Sequence, residues 1–163
     1  MKITAQDEYG LRILVRIAKC KGSLGYLGLS IPQLSELEGL SQPNVSKLTR
    51  ILRIEGLLNS TKGHVGGYVL ARPADTITVN DILKALSGRL FNQEFCLNHA
   101  GTMKVCSNSV DCSIRSLWTI VQSAIDNLLN KITLADLSNG EEEATETFQN
   151  LFKGIPAENK ELL

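Results

Sequence analysis

The sequence predicts a mostly α-helical protein that carries one small β-hairpin. Three observations support this fold class. Apolar residues recur with helical spacing in several segments that begin at capping residues and end near glycines. One glycine-rich segment, residues 62–67, separates two short β-prone stretches, which is the pattern of a hairpin. A helical segment in the second half is longer than the others and repeats every 3.5 residues.

Composition places the chain among globular proteins. It has 163 residues, 43% apolar and 21% charged, which suits one domain or two small lobes and excludes a disordered chain. No apolar run approaches the roughly 20 residues that cross a bilayer, so we expect no membrane span. Charged residues interrupt the N-terminal segment, unlike a signal peptide, and we expect a cytoplasmic protein. Four cysteines in such a protein indicate metal, redox or core roles rather than disulfides.

The formal net charge of zero conceals an uneven distribution. Residues 1–73 hold ten of the 17 basic residues but only five of the 17 acidic ones, so the first part of the chain is basic and the rest is acidic. A basic end suits contact with a polyanion such as DNA. A solvated surface of uneven charge is the alternative interpretation.

The first 88 residues predict a winged helix-turn-helix, a DNA-binding domain. Helices are predicted over residues 4–21, 30–39, 41–56 and 78–86, and strands over 57–61 and 68–70. Each of these helices begins near a Ser or Thr that can accept a hydrogen bond from the first turn, and the first three end near glycine. The order of helix, helix, tight turn, helix and glycine-rich hairpin is that of a winged helix.

The third helix has two different faces. Val45, Leu48 and Leu52 fall on one side and can anchor the helix to a core. The other side is polar and basic, and Gln and Arg bind the edges of adenine and guanine in the major groove. From this helix we predict DNA contacts by Ser41, Gln42, Asn44, Ser46, Lys47, Arg50 and Arg53. Lys47, Lys62, His64 and Arg72 flank the face and suit contacts with phosphates. A merely solvated polar face is the alternative.

Three segments follow the winged domain. Residues 89–111 have no clear period, residues 112–138 predict a long C-terminal dimerisation helix, and residues 139–163 predict a mobile acidic tail. The apolar seam of the long helix consists of Ile114, Trp118, Val121, Ile125, Leu128, Ile132 and Ala135. One helix cannot bury such a seam alone, so we expect a homodimer. Packing against the chain's own winged domain is the alternative.

Three cysteines lie between the winged domain and the long helix. Nine residues separate Cys96 from Cys106, and five separate Cys106 from Cys112. This is not the Cys-x-x-Cys spacing of a zinc ribbon or a thioredoxin-like site. Thiolates select iron–sulfur clusters, zinc or copper(I), so we predict a soft-metal site, with small buried core residues as the alternative. Cys20 is remote from the others and is interpreted as a core residue.

Four segments of the chain resemble a known family. They are MKITAQDEYGLRIL, GLSQPNVSKLTRILRIEGLL, STKGHVGGYVLARP and ITVNDILKAL. Over residues 1–137 the chain is similar to the winged-helix iron–sulfur regulators of bacteria (IscR-like and NsrR-like). The resemblance implies a DNA-binding transcriptional repressor whose operator affinity is controlled by an iron–sulfur cluster that senses cluster status, nitric oxide or redox stress. It also implies that Lys62, His64, Gly66 and Gly67 hold the wing against the minor groove.

The resemblance further implies that the three cysteines are cluster ligands. Some relatives have five residues between the first two cysteines, where this chain has nine. IscR-like members place a histidine three residues after the last cysteine, and Arg115, which cannot bind a metal, stands there. NsrR-like members use an acidic residue on the first helix of the partner protomer, and Glu8 matches it. We expect Glu8 as the fourth ligand, with His99 as the second candidate, and a 4Fe–4S cluster in preference to a 2Fe–2S cluster.

The expected partners are a palindromic double-stranded DNA operator and a second copy of the chain. Two alternatives stay open: a thiol- or zinc-based redox regulator of the same fold, and a small electron-transfer protein that carries a cluster. The sequence contains no nucleophile–base pair, phosphate-binding loop or paired carboxylate, so we predict no enzyme activity.

Overall fold

The structure is a computed structural model of the chain and describes residues 3–20, 28–61 and 66–151. It is mostly helical with one two-stranded antiparallel sheet, which confirms the predicted fold class. The helices are α1 (Ala5–Cys20), α2 (Ile31–Glu38), α3 (Gln42–Ile54), α4 (Val79–Ser87), α5 (Gln93–Asn98), α6 (Ser113–Leu129), α7 (Leu134–Ser138) and α8 (Glu141–Leu151), and the strands are β1 (Leu58–Ser60) and β2 (Tyr68–Leu70). Within these ranges, no helix is both long and apolar enough to cross a bilayer.

Side chains cap the first, second and fourth helices at the positions predicted from the sequence. The capping pairs are Thr4 with Asp7, Ser30 with Gln33, and Thr78 with Asp81. In each pair the hydroxyl accepts from the backbone N–H three residues later, and the later side chain accepts from the capping residue's N–H. Gly39 ends α2 in the left-handed conformation, with φ of 65°, which glycine adopts without strain.

The core lies between α1, α3, α4 and α7, with the strands at its edge. Its fully buried side chains include Ile13, Leu14, Ile17, Val45, Leu52, Leu58, Ile77, Ile82 and Leu134, and Leu48 is almost fully buried. The predicted anchoring role of Val45, Leu48 and Leu52 is therefore confirmed. Helices α1 and α4 pack closely at Gly10, where a Cβ atom would lie 2.4 Å from the side chain of Leu86.

The base of the wing is a tight backbone contact. Strand β1 pairs with β2, and Leu29 adds a bridge to Tyr68 through N–O hydrogen bonds of 3.1 and 2.8 Å. Gly67 packs on this bridge, and a Cβ atom there would lie 2.6 Å from the carbonyl carbon of Leu29. Only glycine permits backbones to approach so closely. The wing tip, residues 62–65, lies outside the described residues.

The long helix predicted over residues 112–138 is shorter and interrupted. Helix α6 ends at Leu129, and the chain then turns back to the winged domain. The Val79 N–H donates to the Ile132 carbonyl at 2.9 Å, and the Leu134 N–H donates to the Ile77 carbonyl at 2.8 Å. Residues 132–134 and helix α7 therefore belong to the core of the winged domain. For this last part of the seam, the alternative of packing against the chain's own domain is correct.

Helices α5 and α8 were not predicted from the sequence. Helix α5 begins after Asn92, whose side-chain oxygen accepts from the Phe95 N–H at 2.9 Å. Helix α8 lies in the segment predicted as an acidic tail, and its first turn contains three glutamates, which the positive end of a helix stabilises. Residues 141–151 of that segment are thus helical, and residues 152–163 lie outside the described part of the chain. The mobility of the tail stays a prediction.

Candidate DNA interface and cysteine cavity

The polar face of α3 is open to solvent. Ser41, Gln42, Ser46, Lys47, Arg50 and Arg53 are exposed, and Asn44 is half-buried. Within the described ranges, none of the three cations on this face pairs with an acidic side chain. The Ser41 side chain makes no capping bond to the helix that it precedes. Unpaired cations and free polar groups on one helix face are what contacts with phosphates and base edges require.

The other flanking residues differ in their placement. Arg72 forms an ion pair with Asp81 at 2.8 Å and donates to the Thr76 carbonyl at 2.8 Å. Its charge is therefore partly compensated by an exposed ion pair, and its predicted contact with a phosphate stays a prediction. Gly66 is half-buried and Gly67 is buried, so Gly67 positions the wing by packing. Lys62 and His64 lie outside the described residues.

A nearly buried carboxylate joins the helix-turn-helix to α1. Glu38 at the end of α2 is 8% exposed, and its oxygens accept from Arg12 Nε at 3.0 Å and Arg16 Nε at 2.6 Å. Arg12 also donates to the Glu38 carbonyl at 2.6 Å. Two guanidinium groups and several hydrogen bonds satisfy the carboxylate, as a buried charge requires. The position of α2, and of the turn that leads into α3, is thereby set relative to α1.

Cys96, Cys106 and Cys112 line one cavity of about 370 Å³, here called the cysteine cavity. Its other lining residues are Leu97, Ala100, Lys104, Val105, Asn108, Ser109 and Arg115. Cys96 comes from α5, Cys106 from the following loop, and Cys112 from the N-cap position of α6, where its Sγ accepts from the Arg115 N–H at 3.3 Å. All three thiols are half-buried and free of disulfides. Residues that are far apart in sequence thus share one site.

The three thiols do not converge on a single point. In the part of the chain that the structure describes, no group of three or more His, Cys, Asp or Glu side chains is placed to hold a metal ion. The donor chemistry nevertheless suits a soft metal or an iron–sulfur cluster, because three thiols face one half-buried cavity. Binding such a group requires the cysteine side chains to move closer together.

The two candidates for a fourth ligand lie elsewhere in the protomer. Glu8 is exposed on α1 and lines a separate concavity with Leu11, Arg12 and Val15. His99 is exposed, stacks on the Phe95 ring at 4.1 Å between centroids, and has its Nδ1 2.9 Å from the Phe95 carbonyl oxygen. Neither side chain lines the cysteine cavity. Cys20 packs half-buried against the core, in agreement with its interpretation as a core residue.

Helix α6 is apolar and exposed along its first half. The exposed fractions are 61% for Ile114, 53% for Leu117, 41% for Trp118 and 68% for Ile120. Gln122 is the one buried residue of this helix. Large apolar side chains exposed along one helix indicate a surface that binds another protein.

A polar network connects the end of α6 to α4. The Asp126 carboxylate accepts from Arg89, accepts from Gln122 Nε2 at 2.9 Å and lies 3.8 Å from Lys84 Nζ. Gln122 Oε1 accepts from the Phe91 N–H at 2.9 Å. Burial raises the pKa of Asp126, but the hydrogen bonds from Arg89 and Gln122 and the charges of Lys84 and Arg89 outweigh burial and lower it. The sequence does not predict this network, because no local pattern relates position 84 to position 126.

Comparison with known proteins decides the family. Residues 3–140 match the family Rrf2, which is described as an iron-dependent transcriptional regulator. The chain belongs to the Rrf2 family. This Rrf2 protein is therefore a transcriptional regulator and not an enzyme, and the electron-carrier alternative has no support.

Its Rrf2 relatives match it over most of their length. It is 31% identical over 147 residues to the HTH-type transcriptional regulator CymR of Bacillus subtilis, covering 88% of this chain and 96% of CymR. It is 35% identical over 137 residues to protein rrf2 of Nitratidesulfovibrio vulgaris, covering 84% of this chain and 87% of rrf2. It is 28% identical over 142 residues to the HTH-type transcriptional regulator IscR of Escherichia coli, covering 87% of this chain and 83% of IscR.

Solved structures of Rrf2 proteins share the fold. The B. subtilis CymR structure, described as that of the global cysteine regulator, has a TM-score of 0.64 and 30% identity, covering 85% of this chain and 96% of that one. The structure of T. potens IscR has a TM-score of 0.61 and 27% identity, covering 98% of this chain and 94% of that one. These relatives confirm a winged-helix regulator.

Proposed function

We propose that this Rrf2 protein is a cytoplasmic repressor whose affinity for its operator is controlled by an iron–sulfur cluster bound to Cys96, Cys106 and Cys112. The observation that carries the proposal is the cysteine cavity, where the three thiols are the metal-binding side chains among the described residues that line it. Cys112 is also the N-cap of α6. Because α6 connects to α4 through Asp126, a change at the thiols has a route to the winged domain.

The proposed DNA-binding form is a homodimer on a palindromic operator. Helix α3 enters the major groove, and the wing, with Lys62, His64, Gly66 and the supporting Gly67, lies at the minor groove. The two-fold symmetry of the dimer then matches the symmetry of the operator. The exposed cations of α3 and the uneven charge of the chain support this placement.

The dimer contact is the apolar side of α6. We expect Trp118→Asp to shift the protein toward monomer, because it places a charge within the exposed apolar part of the seam. Sedimentation equilibrium measures the shift. Asn127→Asp is the matched control, since it adds the same charge to the same helix at an exposed polar position. A dimer constant unchanged by Trp118→Asp contradicts the assignment.

The fourth ligand is Glu8 of the partner protomer, with His99 as the second candidate. Both side chains lie outside the cysteine cavity of their own protomer. Glu8 is therefore better placed to bind the cluster of the partner protomer than the cluster of its own. A 4Fe–4S cluster is preferred to a 2Fe–2S cluster. We expect Glu8→Ala and not His99→Ala to lower the iron content of anaerobically isolated protein.

Two measurements test the function as a whole. Iron and sulfide content, with the absorption spectrum, decides whether the isolated protein holds a cluster. Operator affinity before and after cluster removal decides whether the cluster controls binding, and we expect a difference of about 1–3 kcal/mol, the usual size of coupling between two sites. Equal affinities refute the control, whatever the metal content.

A thiol- or zinc-based regulator of the same fold is the second candidate. The separation of the thiols, which are free and not arranged around a metal among the described residues, favours the thiol-based form of this candidate. In that case the anaerobic protein is colourless, and it binds one zinc per chain or none. Operator affinity then changes with thiol oxidation and not with iron supply.

A further inference from the structure

The cysteine cavity is positively charged apart from its thiols. Lys104 and Arg115 line it, and no acidic residue is among the described residues that line it. Neither cation forms an ion pair with any described residue. The guanidinium group of Arg115 is held in place by donating from Nη1 to the Ser109 carbonyl at 3.0 Å. The cavity thus brings two uncompensated cations together with three thiols.

The start of α6 adds to this positive potential. Cys112 caps a helix of 17 residues, and the N-terminal end of a helix carries a partial positive charge. The Arg115 N–H donates to the Cys112 sulfur at 3.3 Å. Three thiolates bound to a metal group bring negative charge into the cavity. The positive charges of Lys104 and Arg115, and the partial positive charge at the start of α6, compensate part of that negative charge.

We propose that Lys104 and Arg115 are the counter-charges of the thiolate-bound group and set its reduction potential. The inference rests on the proposed function, because it requires a cluster at the three cysteines. Reduction moves one electron from a reductant such as dithionite to the cluster, with no bond formed or broken and no proton transferred. The reduced state carries one more negative charge, so a nearby cation stabilises it more than the oxidised state and raises the potential.

The two cations differ in exposure, and this ranks their effects. Arg115 is half-buried, whereas Lys104 is exposed, and water screens exposed charges more strongly. We expect Arg115→Gln to lower the equilibrium constant for one-electron reduction by about tenfold, which corresponds to about 59 mV. Lys104→Gln is expected to lower it by roughly threefold, because its charge is better screened.

The experiment is a redox titration of the full chain, isolated anaerobically with its cluster and followed by visible absorption. Arg115→Lys keeps the charge but loses the planar guanidinium group that binds the Ser109 carbonyl, so it separates charge from positioning. We expect Arg115→Lys to keep a potential near that of the original protein. Lys131→Gln, which removes an exposed charge beyond the C-terminal end of α6, is the control and leaves the potential unchanged.

The outcomes separate this inference from the proposed function. A protein with full iron and sulfide whose potential is unmoved by Arg115→Gln and by Lys104→Gln overturns the inference and leaves the proposed cofactor intact. If the unsubstituted protein contains no iron and sulfide, both this inference and the proposed function are wrong. If Arg115→Gln fails to retain a cluster, Lys104→Gln decides, because the Lys104 side chain makes no hydrogen bond to any residue that the structure describes. In that case, a lowered reduction potential of Lys104→Gln with an unchanged absorption spectrum supports the inference, and an unchanged reduction potential of Lys104→Gln refutes it.

Discussion

Replacing Gly67 with alanine tests the construction of the wing. The added Cβ would lie 2.6 Å from the Leu29 carbonyl carbon and 2.8 Å from the Gly28 carbonyl carbon, and both are backbone atoms. Because no flexible side chain can move aside, residues 28–29 must separate from Tyr68. The two hydrogen bonds of the Leu29–Tyr68 bridge are then lost, at about 1 kcal/mol each. With the added backbone strain, we expect a total loss of about 2–4 kcal/mol.

Urea denaturation followed by circular dichroism measures this loss, and operator binding measures the displacement of the wing. Gly140→Ala is the control, because nothing lies within 4 Å of a Cβ atom built there. We expect the control to lower the free energy of unfolding by at most about 1 kcal/mol, because Gly140 accepts the first hydrogen bond of α8 and alanine is less favourable than glycine at that position. A Gly67→Ala protein that is as stable as the control would refute the close-approach explanation of this glycine.

Four further predictions concern the rest of the molecule. Arg50→Ala is expected to weaken operator binding by about 1–3 kcal/mol, and Arg72→Ala, whose charge is already paired, by much less; equal losses in a gel-shift titration would contradict this ranking. Leu134→Ala is expected to cost about 2–5 kcal/mol in urea denaturation, because the side chain is fully buried, and a loss under 1 kcal/mol would contradict its core position. Burial raises the pKa of Asp7, but hydrogen bonds from Ser87 and Thr4 outweigh it and lower the pKa, so its stabilisation is present above about pH 4 and is lost as the pH falls toward the lowered pKa. Asp7→Asn should therefore lower the free energy of unfolding more at pH 7 than at pH 2, and a constant difference across that range would be the contrary result. Asp126→Asn is expected to cost about 1–2 kcal/mol by weakening the link between α6 and α4. Asn127→Gln, which keeps an uncharged amide at an exposed position of the same helix, is the control in the same denaturation assay.

Local signals predicted the winged domain well. A capping box needs only two residues three positions apart, so Ser30 with Gln33 and Thr78 with Asp81 identify helix starts from the sequence alone. Gly39 ends α2 in the left-handed conformation, again a property of one residue. The two faces of α3 follow from helical spacing. The three cysteines were predicted to form one site, and they line one cavity.

The remaining features depend on contacts between distant residues. The apolar repeat continued through Ile132, so spacing alone predicted one long helix, although Thr133 and Asp136 form a capping box that marks a new helix start. The pairing of residues 132–134 with residues 77–79 joins segments more than 50 positions apart, and no local pattern encodes it. The same applies to the polar network around Asp126, and to the arrival of Lys104 and Arg115 at one cavity.

The return of residues 132–138 to the winged domain makes that domain discontinuous along the chain. A fragment ending at residue 88 would lack Leu134, which is fully buried, and the carbonyl that pairs with the Val79 N–H. Residues 1–88 alone are therefore not the complete winged domain. A truncated winged domain, or one exchanged with that of a relative, must also include residues 132–138. The intervening cysteine segment and α6 therefore begin and end at the same domain, because the residues that follow α6 hydrogen-bond to Ile77 and Val79.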